Sequence, residues 1–297
     1  MKVIISGASG LIGSVLLPAL EADGHEVLRL VRTATDVGPK EASWDPAAGS
    51  LDPAVIAGAD AVINLNGHNV AEGRWSAQVK EKLYRSRLDA TRTIADAIAR
   101  AEPPPELLVN ASAVGYYGDR GEEILDEGSA AGNGFLAELS RDWEAAALKA
   151  RSDHTRVVLL RLGMVIANGG ALGRMLLPFK LGLGGPVGSG RQFWPWVGLK
   201  DVLEAVRFAL DHDRLAGPLN LVSPEETRCS DFARTLGWVL RRPAVLPAPA
   251  FAARLALGEM ADALLLASAR VHPRALEEAG FVFRAPRLED AIHRALA

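Results

Sequence analysis

Two short stretches carry groups suited to chemistry on a small bound molecule. The first is Asn110-Ala-Ser112-Ala-Val-Gly-Tyr116-Tyr117-Gly118, where a serine leaves an apolar run and two tyrosines follow. Moving hydride at a carbinol or ketone carbon requires a proton donor or acceptor and a hydroxyl that orients the substrate oxygen. Ser112 suits the orienting role. Tyr116 is the leading candidate for proton transfer, with Tyr117 next. The second stretch is Gly7-Ala-Ser9-Gly10-Leu11-Ile12-Gly13, preceded by Lys2-Val-Ile-Ile-Ser6. Its first glycines let the backbone turn tightly and come close to phosphates. Gly13 lets a helix pack close to its strand, and the free amides of the helix start face the anion. Ser9, Leu11 and Ile12 would then border a dinucleotide pyrophosphate.

Four further positions extend this site. An acidic group about 20 residues past the glycines binds a ribose 2′-hydroxyl in NAD-selective folds. Here the second strand ends Leu30-Val31-Arg32-Thr33. A guanidinium suits a 2′-phosphate, so NADP(H) is favoured over NAD(H). Asp36 lies four residues on and could reach a ribose, which leaves NAD(H) open. Asp60-Ala-Val-Ile-Asn-Leu65-Asn66-Gly67 ends another strand, placing Leu65, Asn66 and Gly67 beside the adenine-ribose side of a cofactor. Arg87 shares a helix face with Thr91 and could contact phosphate or simply face solvent. Arg191, Gln192 and Trp194 follow the loop Gly182-Leu-Gly-Gly-Pro-Val-Gly-Ser-Gly190 and would edge a substrate pocket with donors and a flat apolar wall.

The elements that must position these groups alternate. Strand patterns over 26–31, 61–65, 107–111 and 156–161 are separated by helical patterns over 14–22, 75–101 and 133–150. Such spacing implies right-handed crossovers and a parallel sheet. A helical insert over 172–181, a helix over 199–211 and a last strand over 219–222 follow. Helices broken by Pro243, Pro247, Pro249 and Pro273 complete the chain. The fold class is α/β, a doubly wound parallel sheet with a small, mainly helical C-terminal substrate domain. Residues 1–165, with later contributions from about 196–224, form the nucleotide domain, and 166–195 with 225–297 form the smaller one.

Bulk properties narrow the class. The 297 residues are 49% hydrophobic but only 6% aromatic, which fits a sheet covered by helices. A net charge of −3 gives no electrostatic footprint for nucleic acid or an anionic membrane. The single cysteine, Cys229, excludes an intrachain disulfide and reads as inert. Six histidines without ligand spacing suggest no metal site. The N-terminus reads as a core strand and not a signal peptide, so a cytoplasmic protein is expected. The partner expected is a small molecule, and a homodimer is compatible with the pattern.

The chain resembles the epimerase-like branch of the extended short-chain dehydrogenase/reductase superfamily. The resemblance rests on Gly7-Ala-Ser-Gly-Leu-Ile-Gly13, Val62-Ile-Asn-Leu65, Ala111-Ser-Ala-Val-Gly-Tyr-Tyr-Gly118, Trp143-Glu144 and Arg161-Leu-Gly-Met-Val165. It continues through Gly169-Gly-Ala-Leu172, Gly188-Ser-Gly-Arg-Gln192, Asp201, Arg242-Pro243 and Gly280-Phe281. It implies a Rossmann domain, bound NADP(H) and a cofactor contact at Val165. Two departures bear on mechanism. The superfamily's Tyr-x-x-x-Lys pair would fall at Phe135 and Leu139, which exchange no protons. The branch's Trp-Ile-His is here Trp196-Val197-Gly198, and Asn66 stands where the branch usually has alanine. Two readings follow. One is an NADP(H)-dependent oxidoreductase or epimerase acting on a small polar or sugar-like substrate. The other is a catalytically silent NADP(H)-binding sensor or regulatory protein.

Overall fold

The computed structural model describes residues 1–32 and 37–297. Its centre is a seven-stranded parallel sheet. The strands are β1 (Lys2–Ser6), β2 (Glu26–Val31), β3 (Glu41–Ser43), β4 (Ala61–Asn64), β5 (Leu107–Ala113), β7 (Arg156–Leu162) and β10 (Gly217–Leu221). Their order across the sheet is β10-β7-β5-β4-β1-β2-β3. The chain runs outward from β1 through β2 to β3, then returns to lay β4 on the other side of β1. The crevice between β1 and β4 is therefore where the winding direction reverses, the place such sheets bind ligands.

The central strands β1, β4, β5 and β7 are largely apolar because helices cover both faces, whereas the edge strand β3 (Glu-Ala-Ser) has no buried residue. Ile4, Val62, Leu108 and Leu159 face a core shared with α2 (Pro53–Ile56), α3 (Ala77–Arg100) and α4 (Phe135–Leu148). Val3, Ile5, Ile63, Val109 and Leu160 face the other way, onto α1 (Gly13–Ala22) and α6 (Leu199–Asp211). The 3.6-residue spacing of Leu16 and Leu20 in α1, and of Val202, Val206 and Ala209 in α6, supplies those helical faces.

Two small sheets, β6 (Ile124–Leu125) with β11 (Arg270–Val271) and β8 (Met164–Ile166) with β9 (Trp196–Gly198), lie outside the main one. A second core gathers α5 (Gly170–Lys180), α7 (Cys229–Leu240) and α11 (Leu288–Leu296) around Trp194, Trp196, Phe232 and Ile292. The short helices α8 (Ala250–Leu257) and α9 (Glu259–Ala261) lie in this half, whereas α10 (Arg274–Glu278) packs on β10 and puts Leu276 into the core of the main sheet. The helix expected over 75–101 starts at Ala77, because the Ser76 hydroxyl accepts from the Val79 amide at 3.2 Å. The helix expected from residue 133 starts at Phe135, because Gly134 has φ 97°.

Candidate active site

The glycine loop is built around two close approaches. Gly7 has φ 76°, and a Cβ there would lie 2.8 Å from the Leu65 carbonyl carbon and oxygen. That contact brings Leu65 and Asn66 against the loop across the β1–β4 crevice. A Cβ on Gly13 would lie 2.4 Å from the Gly7 oxygen and 2.7 Å from the Ala8 Cα. Gly10 differs: its Cβ would meet only the Gly7 oxygen, at 3.3 Å, and otherwise open space. The absence of a side chain at Gly10 serves what sits above the loop, not the fold. Ser9, Gly10 and Leu11 are exposed, and α1 begins with no side-chain cap. Among the described residues, the amides of Leu11, Ile12 and Gly13 find no backbone acceptor. These donors at a helix N-terminus suit a pyrophosphate. The Leu11 side chain lies under Gly169 and Gly170 at the start of α5, at 3.4 and 3.1 Å from their would-be Cβ atoms.

Two cations flank the crevice. Arg32, at the carboxyl end of β2, is exposed and has no carboxylate partner among the described residues; Asp36 lies outside them. Arg87 leans over Gly67, with its Cζ 3.1 Å from where a Cβ would be. It donates to the Leu83 carbonyl at 3.1 Å and lies 5.1 Å from the Trp143 ring centre. No carboxylate among the described residues pairs with it, and burial lowers its pKa to about 10. A half-buried cation without a counter-charge at a crevice wall is a phosphate-seeking arrangement.

Behind the crevice a buried amide network fixes the strand ends. The Asn64 side chain donates to Thr91 Oγ1 at 2.8 Å and Asn110 Oδ1 at 2.6 Å, and accepts from Ser6 Oγ at 2.9 Å and the Asn66 amide nitrogen Nδ2 at 3.0 Å. Trp143 Nε1 donates to Thr91 Oγ1 at 2.8 Å. Thr91 thus ties α3, α4 and β4 together and does not face the crevice with Arg87. Leu65 and Asn66 are half-buried, and Gly67 is exposed. Val165 is half-buried on β8 and packs on the sheet core.

The second cluster lies where Ser112 on β5, Arg161 on β7 and Asn220 on β10 stand in register. Ser112 Oγ donates to Glu144 Oε1 at 2.6 Å. Its proton is committed, so toward a substrate it offers acceptor capacity only. Glu144 grips Arg161 in a bidentate pair, 2.8 Å at both Nε and Nη2, with both side chains over nine-tenths buried. Burial opposes the Arg161 charge, but Glu144 and the Tyr117 hydroxyl outweigh it and hold its pKa above the ordinary value. The guanidinium also stacks on the Tyr116 ring, 3.6 Å from its centre.

The two tyrosines separate here. Tyr116 is half-buried, and its hydroxyl has no partner among the described residues. Tyr117 is fully buried: its hydroxyl meets the Asp126 carbonyl at 2.9 Å, Asn220 Oδ1 at 2.7 Å and Arg161 Nη1 at 2.9 Å. Burial pushes its pKa up to about 12. Tyr117 ties β7 and β10 to the loop at Asp126, and its buried hydroxyl is spent on these partners.

Helix α4 presents a different face from the one expected. Phe135 packs edge-on against Trp75, at 5.3 Å, and Leu139 is buried with Leu83 and Leu88 on the α3 side. The face carrying Glu144 continues back through Ser140 to Leu136, which lies 3.2 Å from a would-be Cβ of Gly115. Leu136 and Ser140 therefore share the α4 face that carries Glu144 toward Ser112.

The loop residues expected at a pocket edge are also sorted. Gln192 is buried and donates to the Val187 and Leu265 carbonyls at 3.0 and 2.8 Å. Trp194 is buried against Phe232 and donates to the Leu265 carbonyl at 3.1 Å. Both pin the loop to residue 265, with donors spent on backbone. Arg191 alone is exposed. Cys229 is buried, and burial pushes its thiol pKa up to about 11, which keeps it an inert thiol. No cluster of three or more metal-ligating side chains exists among the described residues, and no described helix is long and apolar enough to cross a membrane.

The model of the NAD dependent epimerase/dehydratase family matches residues 3–221, and a domain of unknown function, DUF1731, matches 248–295. The epimerase family protein ML0860 of Mycobacterium leprae is 44% identical over 291 residues, covering 98% of this chain and 94% of that protein. The crystal structure of human epimerase family protein SDR39U1 (isoform 2) with NADPH superposes with a TM-score of 0.92 at 36% identity, covering 99% of both chains. The nucleoside-diphosphate sugar epimerase from Corynebacterium glutamicum superposes at 0.82 with 32% identity, covering all of this chain and 58% of that one. A glycine loop under an uncapped helix, a doubly wound sheet and a match running through its last strand lead to one assignment: the chain belongs to the NAD dependent epimerase/dehydratase family.

Proposed function

We propose that this protein binds NADP(H) and acts as an oxidoreductase or epimerase on a small polar or sugar-like molecule. The observation that carries the reading is the crevice itself. Open space above Gly10, amides without a backbone acceptor at the start of α1, and the cations Arg32 and Arg87, which have no carboxylate partner among the described residues, would form one anion-binding wall. The NADPH in the crystal structure of the human relative supports the same choice. Bound NADP(H) would supply hydride donation or acceptance, and the protein would orient it.

In this reading Arg32 holds the 2′-phosphate, Arg87 neutralises a phosphate over Gly67, and Leu65 and Asn66 border the adenosine side. Tyr116 gives or takes the proton, because its hydroxyl has no partner among the described residues while Arg161 holds its ring. Ser112 accepts a hydrogen bond from a substrate hydroxyl and is a positioning group. Arg191 is the exposed donor left for the substrate's polar end. Native mass spectrometry of freshly purified protein tests the cofactor. Following NADPH absorbance against aldehydes, ketones and sugar nucleotides tests turnover. Tyr116→Phe should slow turnover by about 10²- to 10⁴-fold; full activity of that variant on a true substrate would remove Tyr116 from the mechanism.

One observation favours the silent, cofactor-binding alternative. Leu136 and Ser140 stand on α4 where a proton-transfer pair would face the site, and neither carries a charge. Tight NADPH binding with every panel member refused would support it.

A further inference from the structure

The chain's net charge of −3 hides a strong local segregation. Residues 162–200 contain four Lys or Arg and no Asp or Glu; residues 232–258 contain four Arg and again no acid. The structure puts the stretches 180–186 and 242–248 of these segments side by side. Arg242 Nε donates to the Lys180 carbonyl at 3.0 Å, and the Leu246 amide to Gly184 at 3.2 Å. The Ala248 amide donates to Pro186 at 2.9 Å.

The same face is apolar. Of fifteen exposed large apolar side chains among the described residues, eight lie between 177 and 255. Leu255, Val245, Trp238 and Phe251 are 72–76% exposed. Helix α8 is the sharpest case: seven of its eight residues are apolar, and none is buried. An apolar helix of a water-facing surface ordinarily buries one side against the protein. Trp238 and Val245 border an open groove of about 1130 Å³ with Arg234, Arg241 and Arg242. Arg234 is paired with Asp231, and Arg254 with Asp262. Lys180, Arg241 and Arg242 have no ion-pair partner among the described residues.

We propose that this face, from the end of α5 through Trp238 to α8, docks the protein peripherally on an anionic phospholipid surface. Exposed apolar side chains flanked by arginine and lysine suit the boundary between headgroups and acyl chains. The apolar side chains enter, and the long cationic ones stay at the anionic layer. A second copy of this chain fits worse, because a two-fold contact would set each arginine cluster near its own image. Val245, Leu246, Phe251 and Leu255 are all at least half exposed, and a lipid layer takes up such side chains without a matching groove.

Flotation with vesicles tests this. The unmodified protein should float with phosphatidylcholine vesicles containing phosphatidylserine, should not float with phosphatidylcholine alone, and should be released by salt. Arg241→Glu with Arg242→Glu should weaken binding by about 25-fold or more, since each cation near such a surface contributes about fivefold. Phe251→Ser with Leu255→Ser replaces side chains that are 72% and 76% exposed and should abolish binding with an unchanged circular dichroism spectrum. Failure of the unmodified protein to float with phosphatidylserine vesicles overturns the proposal, whatever covers the face instead. So does equal flotation of the folded apolar variant. Concentration-dependent dimers dissolved by the same substitutions, without vesicle binding, would assign the face to a second copy. Retention on an acidic protein, again without vesicle binding, would assign it to that partner.

Discussion

Replacing Arg87 with methionine should strengthen the empty protein and weaken the loaded one. The Arg87 guanidinium sits against Gly67 and Trp143 with no carboxylate partner among the described residues, and burial lowers its pKa to about 10. For a base, a lowered folded-state pKa means the charged form is penalised by folding. The penalty is fully present below pH about 10 and fades as the pH rises above it. At neutral pH it amounts to at most ~3 kcal/mol. Two contacts offset it: the hydrogen bond to Leu83, about 1 kcal/mol, and the approach to the Trp143 ring, roughly 0.5–1 kcal/mol. Arg87→Met keeps an unbranched stem for packing and removes the charge. The ligand-free variant should gain about 1 kcal/mol, read as a rise in Tm of roughly 2–4 °C. It should also lose a charge-assisted phosphate contact, about 1.5–3 kcal/mol, or roughly 10- to 150-fold in NADPH affinity. Thermal unfolding with and without NADPH gives both signs in one experiment. A ligand-free variant that is less stable, with NADPH affinity unchanged, would show that Arg87 is a packing residue and refute the reasoning.

The two glycines of the phosphate loop should respond in opposite ways. Gly13→Ala drives a methyl into backbone 2.4 Å away and should lower stability by about 1–3 kcal/mol, visible in urea unfolding. Gly10→Val should leave the unfolding midpoint near that of the unmodified protein while abolishing nucleotide binding, because its only fold contact is at 3.3 Å. Glu144→Leu leaves Arg161 buried and unpaired and should cost about 3–5 kcal/mol. Adding Arg161→Met should recover most of that loss; a double variant no better than the single one would show the pair is not coupled.

Much of the nucleotide half was legible because its signals are local. The glycine spacing, the apolar run before it and the strand ends at Arg32 and Asn66 each depend on a few neighbouring residues. The register of α4 was not legible. Two adjacent residue pairs, 135/139 and 136/140, have the same spacing, and only the Glu144–Ser112 contact decides which pair faces β5. Tyr116 and Tyr117 are adjacent in sequence, yet a short helical turn sends one hydroxyl into the interior and leaves the other free. Gln192 and Trp194 suggested a polar pocket edge, but carbonyls more than 70 residues away use their donors. Asn64 and Asn110 lay inside apolar strands with no separate sign of the network they form. The basic face escaped the net charge because its two segments are distant in sequence and meet only in the folded chain, along the 180–188 strip and where Trp194 packs on Phe232.

The central claim is that the crevice selects NADP(H) through Arg32. Calorimetric titration of the unmodified protein and Arg32→Ala with NADPH and NADH tests it most directly. NADPH should bind more tightly to the unmodified protein by roughly 10- to 150-fold, the equivalent of about 1.5–3 kcal/mol. Arg32→Ala should erase most of that difference while leaving NADH affinity nearly unchanged. Equal affinity of the unmodified protein for the two nucleotides, or a preference that survives in Arg32→Ala, would contradict the account.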